Sequence, residues 1–134
     1  MECEGKEVDL DTLEYIHLHK TGALLKACVR TGAMIAGANE KLLQALTTYA
    51  EGIGLAFQII DDILDLTSSS EKLGKTAGKD LLADKTTYPK LLGMEESKKK
   101  AYDLVEKAKT AIEPWGSDAK YLISLADFIT NIDR

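Results

Sequence analysis

The sequence has few of the residues that staple small secreted domains or interrupt helices: two cysteines, two prolines and one tryptophan in 134 residues. Two cysteines cannot form a disulfide framework, and in a sequence with no recognisable leader they indicate a reducing compartment. They are also too few for a four-cysteine zinc site. No run approaches the roughly 18 apolar residues that a membrane-spanning helix needs, so we expect no membrane span.

Positive charge is also scarce, since 17 basic residues stand against 22 acidic ones and the formal net charge is -5. A nucleic-acid-binding domain carries a basic patch, so we expect no nucleic-acid partner. The composition, 45% hydrophobic and 29% charged, is typical of a globular protein, and the length predicts one domain over residues 1–134. Residues 1–7 are unlike a signal or transit peptide, which predicts an intracellular protein.

Helical periodicity is abundant, and no alternation of apolar and polar residues predicts a strand, so we expect an all-α fold. Asp9 or Asp11 is predicted to cap the first helix, Asn39 the third and Asp118 the last. The predicted helices are a first one through Leu18, then residues 21–37 and 40–65, a short helix from Pro89 to near Gly93, residues 95–113, and a last one after Asp118, with residues 67–80 predicted as a loop.

The third helix carries the clearest pattern, an apolar residue every three or four positions from Leu43 to Leu64. This stripe predicts a core-facing side that includes Phe57. Gly52 and Gly54 weaken the helix slightly but permit a neighbouring helix to approach closely. The second helix, rich in glycine and alanine, has side chains small enough for the same kind of close contact.

Three aspartates follow on the same helix, Asp61, Asp62 and Asp65. At about 100° per residue, Asp61 and Asp65 flank the predicted core stripe, and Asp62 is expected to point farther outward. Like charges in this position need a counter-charge, and magnesium characteristically binds one or two carboxylates together with substrate phosphates. The alternative is a solvated acidic helix end, although carboxylates near a helix C-terminus oppose the helix dipole.

A segment rich in lysine and glycine comes next, with Gly74-Lys75, Gly78-Lys79 and Lys85 within a short distance of the aspartates. Glycine-flanked backbone lets a lysine and free N–H groups approach a phosphate. The spacing does not match a Walker phosphate-binding loop. Alone, such lysines are usually solvated, but an acidic helix end followed by this segment together predict a site for a cation and a diphosphate.

Other candidate ligands are expected to be structural. His17 and His19 are two residues apart, so on a helix they point in different directions and cannot form an i, i+4 metal pair. Cys28 has apolar neighbours in sequence and is predicted to be a small core residue. Trp115 follows Pro114 and is predicted to anchor a turn by packing.

Four stretches together resemble the trans-polyprenyl diphosphate synthase family, in particular the plant and cyanobacterial geranylgeranyl diphosphate synthases, over residues 8–134. The resemblance implies the C-terminal part of the isoprenoid synthase helical bundle, carrying that family's second aspartate-rich motif. The stretches, in the family's order and spacing, are Ile16-His-Leu-His-Lys-Thr-Gly-Ala-Leu, Gly54-Leu-Ala-Phe-Gln-Ile-Ile-Asp-Asp-Ile-Leu-Asp, Leu73-Gly-Lys-Thr-Ala-Gly-Lys-Asp and Asp84-Lys-Thr-Thr-Tyr-Pro-Lys-Leu.

The resemblance also implies ligands for the substrate and its cofactor, Mg2+. It makes Asp61, Asp62 and Asp65 the carboxylates that hold Mg2+ on an allylic diphosphate. It makes Lys20 and Lys75 contacts of that same diphosphate. Both substrates of the family, an allylic diphosphate and isopentenyl diphosphate, are therefore expected partners.

Catalytic roles follow from the resemblance in the same way. Thr21 and Gln58 match residues that line the pocket where the carbocation forms, and with Lys20 they are the expected catalytic residues. Gln58 and Lys85 are also expected to bind substrate. The implied reaction is ionisation of the allylic diphosphate, attack by isopentenyl diphosphate and loss of a proton.

The family's first aspartate-rich motif and its paired arginines have no counterpart in these 134 residues. We therefore expect the chain to be incompetent alone, and to be a homo-oligomer or a partner of a full-length synthase. The alternative is a non-catalytic or regulatory subunit of such a synthase; a terpene cyclase is disfavoured by Lys75 and Lys85. The resemblance implies a plastid if a precursor with a transit peptide exists upstream, and the cytoplasm otherwise.

Overall fold

A computed structural model of the protein describes residues 9–71 and 86–131, and in those ranges it is helical without a strand. The all-α prediction is confirmed. The elements are α1 (Leu10–His19), α2 (Thr21–Ile35), α3 (Glu40–Glu71), α4 (Tyr88–Leu92), α5 (Met94–Ile112), a 3-10 segment (Glu113–Ala119) and α6 (Lys120–Thr130).

Short polar side chains start the helices where local sequence predicts them. Asp9 Oδ1 accepts a hydrogen bond of 2.8 Å from the backbone N–H of Thr12, which caps α1. Asn39 Oδ1 accepts one of 2.8 Å from the N–H of Leu42, which caps α3. Between α2 and α3 the chain turns at Gly37, whose φ of 83° favours glycine. The predicted caps at Asp9 and Asn39 are confirmed.

Two predicted boundaries are wrong. Helix α3 continues to Glu71, so the first part of the predicted 67–80 loop is helical, and residues 72–80 lie outside the described ranges. Thr67 sits in that extra turn with its hydroxyl donating to the carbonyl of Ile63 at 3.0 Å, which satisfies it within the helix. Asp118 does not cap the last helix, because the 3-10 segment runs through it and α6 begins at Lys120 without a side-chain cap.

Helix α3 is central because its backbone is approached closely by α5. A Cβ on Gly52 would lie 3.1 Å from the Leu104 carbonyl oxygen and 3.2 Å from the Cβ of Ala108, so a larger residue would push α5 away by a few tenths of an ångström. Helix α6 is tied to α3 by the hydroxyl of Tyr49, which donates to the carbonyl of Leu122 at 2.7 Å. The close packing predicted at the glycines of α3 is present on this side.

Helix α2 runs antiparallel to α3 on another side. A Cβ on Gly54 would lie 3.4 Å from the Cα of Gly22, near the start of α2. Toward the other end of α2, Arg30 Nη1 donates to Thr47 Oγ1 at 2.8 Å. The start of α2 therefore lies beside the middle of α3, and its end beside the first turns of α3.

The buried face of α3 is turned relative to the predicted stripe. Phe57 is 51% exposed, and Cys28, also predicted as core, is exposed as well. Because α3 packs against α2 and α5 on different sides, its buried face is broader than one stripe and centred elsewhere. Its buried apolar residues are Tyr49, Ala50, Ile53, Leu55, Ala56, Ile59, Ile60 and Ile63.

The described helices can be compared with the dimensions of a membrane-spanning helix. None of them combines the length and the apolar character needed to cross a bilayer. This agrees with the hydropathy of the sequence.

Candidate functional site

The three aspartates of α3 point in different directions. Asp62 is only 2% exposed, Asp61 is partly buried and Asp65 is exposed. The predicted orientation of Asp62, farther outward than its neighbours, is wrong. The reason is the rotated core of α3: a side chain about 100° from Asp61 falls on the buried side.

Asp62 is held by the helix that follows the lysine-rich segment. Its Oδ2 accepts a hydrogen bond of 3.2 Å from the backbone N–H of Tyr88, the first residue of α4. The first N–H groups of a helix have no partner within it, and the Asp62 Oδ2 gives one of them an acceptor. The contact joins positions 26 residues apart in the chain.

Asp61 and Asp65 are one turn apart and lie on the same side of α3 as Phe57. Gln58 is beside them and partly buried. We call the side formed by Phe57, Gln58, Asp61 and Asp65 the open face of α3. It presents carboxylate oxygens next to an exposed aromatic ring, a combination suited to a hard cation and an apolar substrate.

The donor set of the open face fits Mg2+ bound by one or two carboxylates with the remaining ligands from phosphate and water. In the described ranges, no three His, Cys, Asp or Glu side chains are grouped so as to hold one metal ion. This agrees with the divergent directions of Asp61, Asp62 and Asp65. A site here would therefore depend on oxygens brought by the ligand.

Lys20 and Thr21 lie at the junction of α1 and α2, and both are exposed. The next residue is Gly22, which packs on Gly54 of α3. Gln58 is one turn farther along α3 from that contact. The structure thus brings the α1–α2 junction to the part of α3 that leads into the open face.

The two other predicted lysines, Lys75 and Lys85, lie outside the described residues, so their roles stay predictions. The chain leaves α3 at Glu71 and is next described at Thr86, directly before the α4 start that contacts Asp62. The described residues that follow the lysine-rich segment, Thr86 and Thr87, therefore lead into the helix start that contacts Asp62.

A buried polar junction surrounds Tyr88. The Tyr88 side chain is fully buried, and its ring stacks on His17 of α1 with centroids 5.6 Å apart. Burial raises the pKa of the Tyr88 hydroxyl well above its usual value, and the negative charges of Glu14 and Asp62 raise it further. Glu14 is in turn paired with Lys100 of α5 at 2.7 Å. Sequence reasoning did not single out Tyr88; its place beside Pro89, at a helix start, was the available signal.

Comparison with known proteins gives a consistent result. A model of the polyprenyl synthetase family matches residues 1–121. The chain is 54% identical over 132 residues to the geranylgeranyl diphosphate synthase of Cyanophora paradoxa, covering 98% of this chain and 44% of that protein. It is 52% identical over 136 residues to a chloroplastic geranylgeranyl pyrophosphate synthase of Capsicum annuum, covering 100% of this chain and 37% of that one.

A solved structure shows the same fold. The geranyltransferase of Helicobacter pylori, complexed with magnesium and isoprenyl diphosphate, superposes with a TM-score of 0.74 at 28% identity. The match covers 97% of this chain and 43% of that one. The chain therefore spans roughly two fifths of the length of the proteins that it resembles.

Proposed function

Because the chain belongs to the polyprenyl synthetase family, we propose that it forms the diphosphate-binding part of a Mg2+-dependent prenyltransferase similar to geranylgeranyl diphosphate synthases. The observation that carries this proposal is the open face of α3, where Asp61 and Asp65 lie one turn apart, about two turns along α3 from Gly54, which packs on Gly22 near Lys20. Residues 1–134 would then be a single helical unit, a partial isoprenoid synthase domain.

The chemistry requires a diphosphate to leave an allylic carbon. Asp61 and Asp65 would hold Mg2+, which when bound neutralises charge on the departing diphosphate. Lys20 and Lys75 would add positive charge against the same oxygens, and such preorganised charges act strongly where water is excluded. Isopentenyl diphosphate adds to the allylic carbon as the diphosphate leaves, and a proton is then lost.

The walls of the cavity would come from the same two elements. Thr21 and Gln58 would line the position of the carbocation, while Phe57 supplies an exposed aromatic surface. Apolar and aromatic walls exclude water, which would otherwise capture the cation. Lys85, which the resemblance makes a substrate-binding residue, would add positive charge near the diphosphate.

The chain alone is proposed to be inactive. Its 134 residues contain one Asp-Asp-x-x-Asp cluster and two arginines that are far apart, Arg30 and Arg134. Removal of one well-placed charge stabiliser commonly costs a factor of about 10² to 10³ in rate, and here a whole cluster is lacking. Purified chain with Mg2+, labelled isopentenyl diphosphate and an allylic starter should form no product; turnover that vanishes in Asp61→Ala would contradict the proposal.

A second candidate function is that of a non-catalytic partner. It is favoured by the large apolar side chains that α2 and the open face expose, among them Leu24 at 69%, Ile35 at 82% and Phe57 at 51%. Exposed apolar surface of this kind marks interaction sites. We propose that the chain is oligomeric or associates with a fuller synthase, which sedimentation of the chain alone, and mixed with such a synthase, will test.

The compartment is proposed from the relatives. One of them, from Capsicum annuum, is named a chloroplastic synthase. A plastid location is proposed if a longer precursor carries a transit peptide, and a cytoplasmic one otherwise. Fluorescence microscopy of the complete reading frame fused to a reporter distinguishes the two.

Binding measurements test the site without turnover. Mg2+ alone should bind weakly and Mg2+ with inorganic diphosphate much better, because two carboxylates leave most coordination positions to the ligand. In calorimetry, Asp61→Ala should remove the diphosphate-dependent heat. Asp103→Ala, an exposed aspartate on α5, is the matched control and should leave it intact. Unchanged heat in Asp61→Ala would show that the site is elsewhere.

A further inference from the structure

We infer that Asp62 is a positioning residue that holds three parts of the diphosphate site together, and that it is not a ligand of the metal ion. The inference rests on the proposed function, because that function identifies the site as one for diphosphate. The hydrogen bond between Asp62 and Tyr88 is independent of it. It separates the roles of three neighbouring aspartates that the sequence pattern groups as one metal motif.

The first step is the direction of the Asp62 side chain. At 2% exposure it lies inside the protein, whereas Asp61 and Asp65 reach the open face. Burying a carboxylate is costly unless hydrogen bonds compensate, and the Tyr88 N–H at 3.2 Å provides one. Because Asp62 is buried and its Oδ2 accepts the N–H at the start of α4, its side chain is turned away from a cation on the open face.

The second step is what the start of α4 carries. Tyr88 is the first residue of α4, so its bond to Asp62 fixes the start of α4 on α3. Thr87, the residue directly before α4, accepts the N–H of Lys90 at 3.4 Å and caps the helix. Asp62 and Thr87 together therefore secure the start of α4, which carries the Tyr88 ring.

The third step runs from Tyr88 to α1. The Tyr88 ring stacks on His17 at a centroid distance of 5.6 Å and an interplanar angle of 24°. His17 precedes Lys20 by three residues, and the N–H of Lys20 bonds to the His17 carbonyl at 3.4 Å. A series of contacts therefore connects Asp62 with Tyr88, Tyr88 with His17, and His17 with Lys20 at the α1–α2 junction.

The hydroxyl of Tyr88 takes no part in this series of contacts. Among the described residues it has no hydrogen-bond partner, and neither has the hydroxyl of Ser97, a fully buried residue in the first turn of α5. The ring and the backbone N–H of Tyr88 make the contacts that matter. Tyr88→Phe keeps both and is the matched control.

The decisive comparison is between asparagine and alanine at position 62. Asparagine keeps an oxygen that accepts the Tyr88 N–H but has no negative charge, whereas alanine has neither. A positioning role is therefore restored by asparagine. A metal-ligand role is lost in both variants, as it is in Asp61→Asn.

The experiment uses the whole 134-residue chain. Calorimetry gives the dissociation constant of inorganic diphosphate at saturating Mg2+. It also gives the Mg2+ concentration at which diphosphate binding is half-maximal. Both are measured at a temperature at which circular dichroism shows that each variant is folded. Asp62→Ala should weaken diphosphate binding about 10-fold or more, as loss of groups that orient ligands commonly does. Asp62→Asn and Tyr88→Phe should bind with nearly wild-type constants, and Asp61→Asn should raise the Mg2+ requirement.

Two results overturn the inference outright, and a third distinguishes it from the proposed function. If Asp62→Asn raises the Mg2+ requirement as much as Asp61→Asn does, Asp62 is a ligand of the metal ion. Asp62→Ala that lowers the melting temperature but leaves diphosphate binding unchanged makes its role purely structural. If the wild-type chain binds no diphosphate, the proposed function fails, and the melting temperatures still decide the Asp62 contact: restoration by asparagine supports it and no restoration contradicts it.

Discussion

On one side of α3, Ile59 and Asp62 are buried against neighbouring helices, whereas on the other side Phe57, Asp61 and Asp65 are partly or fully exposed. The two sides belong to one helix and to one short stretch of sequence. The buried side contributes to stability and holds α4, and the open side presents the groups proposed to bind substrate. Neighbouring residues of one motif can therefore have separate roles, which substitutions on the two sides should reveal.

The largest expected effect comes from truncating a side chain on the buried side. Ile59 is 0% exposed, so Ile59→Ala should lower the free energy of unfolding by about 2 to 5 kcal/mol, through lost transfer free energy and the cavity left behind. Phe57→Ala, on the open face, should lower it far less despite removing a larger side chain. Denaturant titration measures both; equal losses would mean that the open face is already packed against another surface.

The second-largest effect is expected at alkaline pH, where ionisation of Tyr49 on the buried side of α3 should lower the free energy of unfolding. Burial raises the pKa of the Tyr49 hydroxyl from its ordinary value of 10.0 to about 12. Because the folded state holds the proton more tightly, this stabilisation is complete below pH about 10 and is lost as the pH rises through 12. The loss should be on the order of 2 to 3 kcal/mol.

The control for this effect is Tyr49→Phe. It gives up the 2.7 Å bond to the Leu122 carbonyl, which costs about 1 kcal/mol at neutral pH. Its stability should then fall less than that of the wild type between pH 10 and 12, although the raised pKa of Tyr88 leaves some dependence. Parallel curves for the two proteins in chemical denaturation would argue against the Tyr49 shift.

The smallest effects separate two glycines within helices. Gly52→Ala places a Cβ 3.1 Å from the Leu104 carbonyl oxygen, a backbone atom, and should destabilise by about 1 to 3 kcal/mol. Gly32→Ala meets nothing within 4 Å and should stabilise by about 0.4 to 1 kcal/mol through the unfolded state. Thermal melting distinguishes them, and a stabilised Gly52→Ala would show that α3 and α5 pack less closely than described.

Much of the fold could be predicted from sequence because its determinants are local. The caps at Asp9 and Asn39 use side chains three residues from the N–H groups that they bind. Which side of α3 is buried was not predictable in this way. Both Phe57 and Ile59 are apolar, and only the positions of α2 and α5 decide between them.

The candidate site likewise has features that the local sequence predicts and features that depend on tertiary contacts. The aspartates and Lys20 were identifiable from motifs, and the structure brings α3 and the α1–α2 junction together. The role of Asp62 was not accessible, because it depends on Tyr88, 26 residues away. The assignments of Lys75 and Lys85 stay predictions.

The antiparallel packing of α5 on α3 also determines what tryptophan fluorescence can detect in this protein. Tyr88 and α4, near the start of α5, lie beside Asp62, whereas Ala108, near its end, lies beside Gly52. Trp115 follows that end and packs partly buried against the core. The single indole is thus remote from the open face, so its emission will follow unfolding and remain nearly silent when a ligand binds at the aspartates.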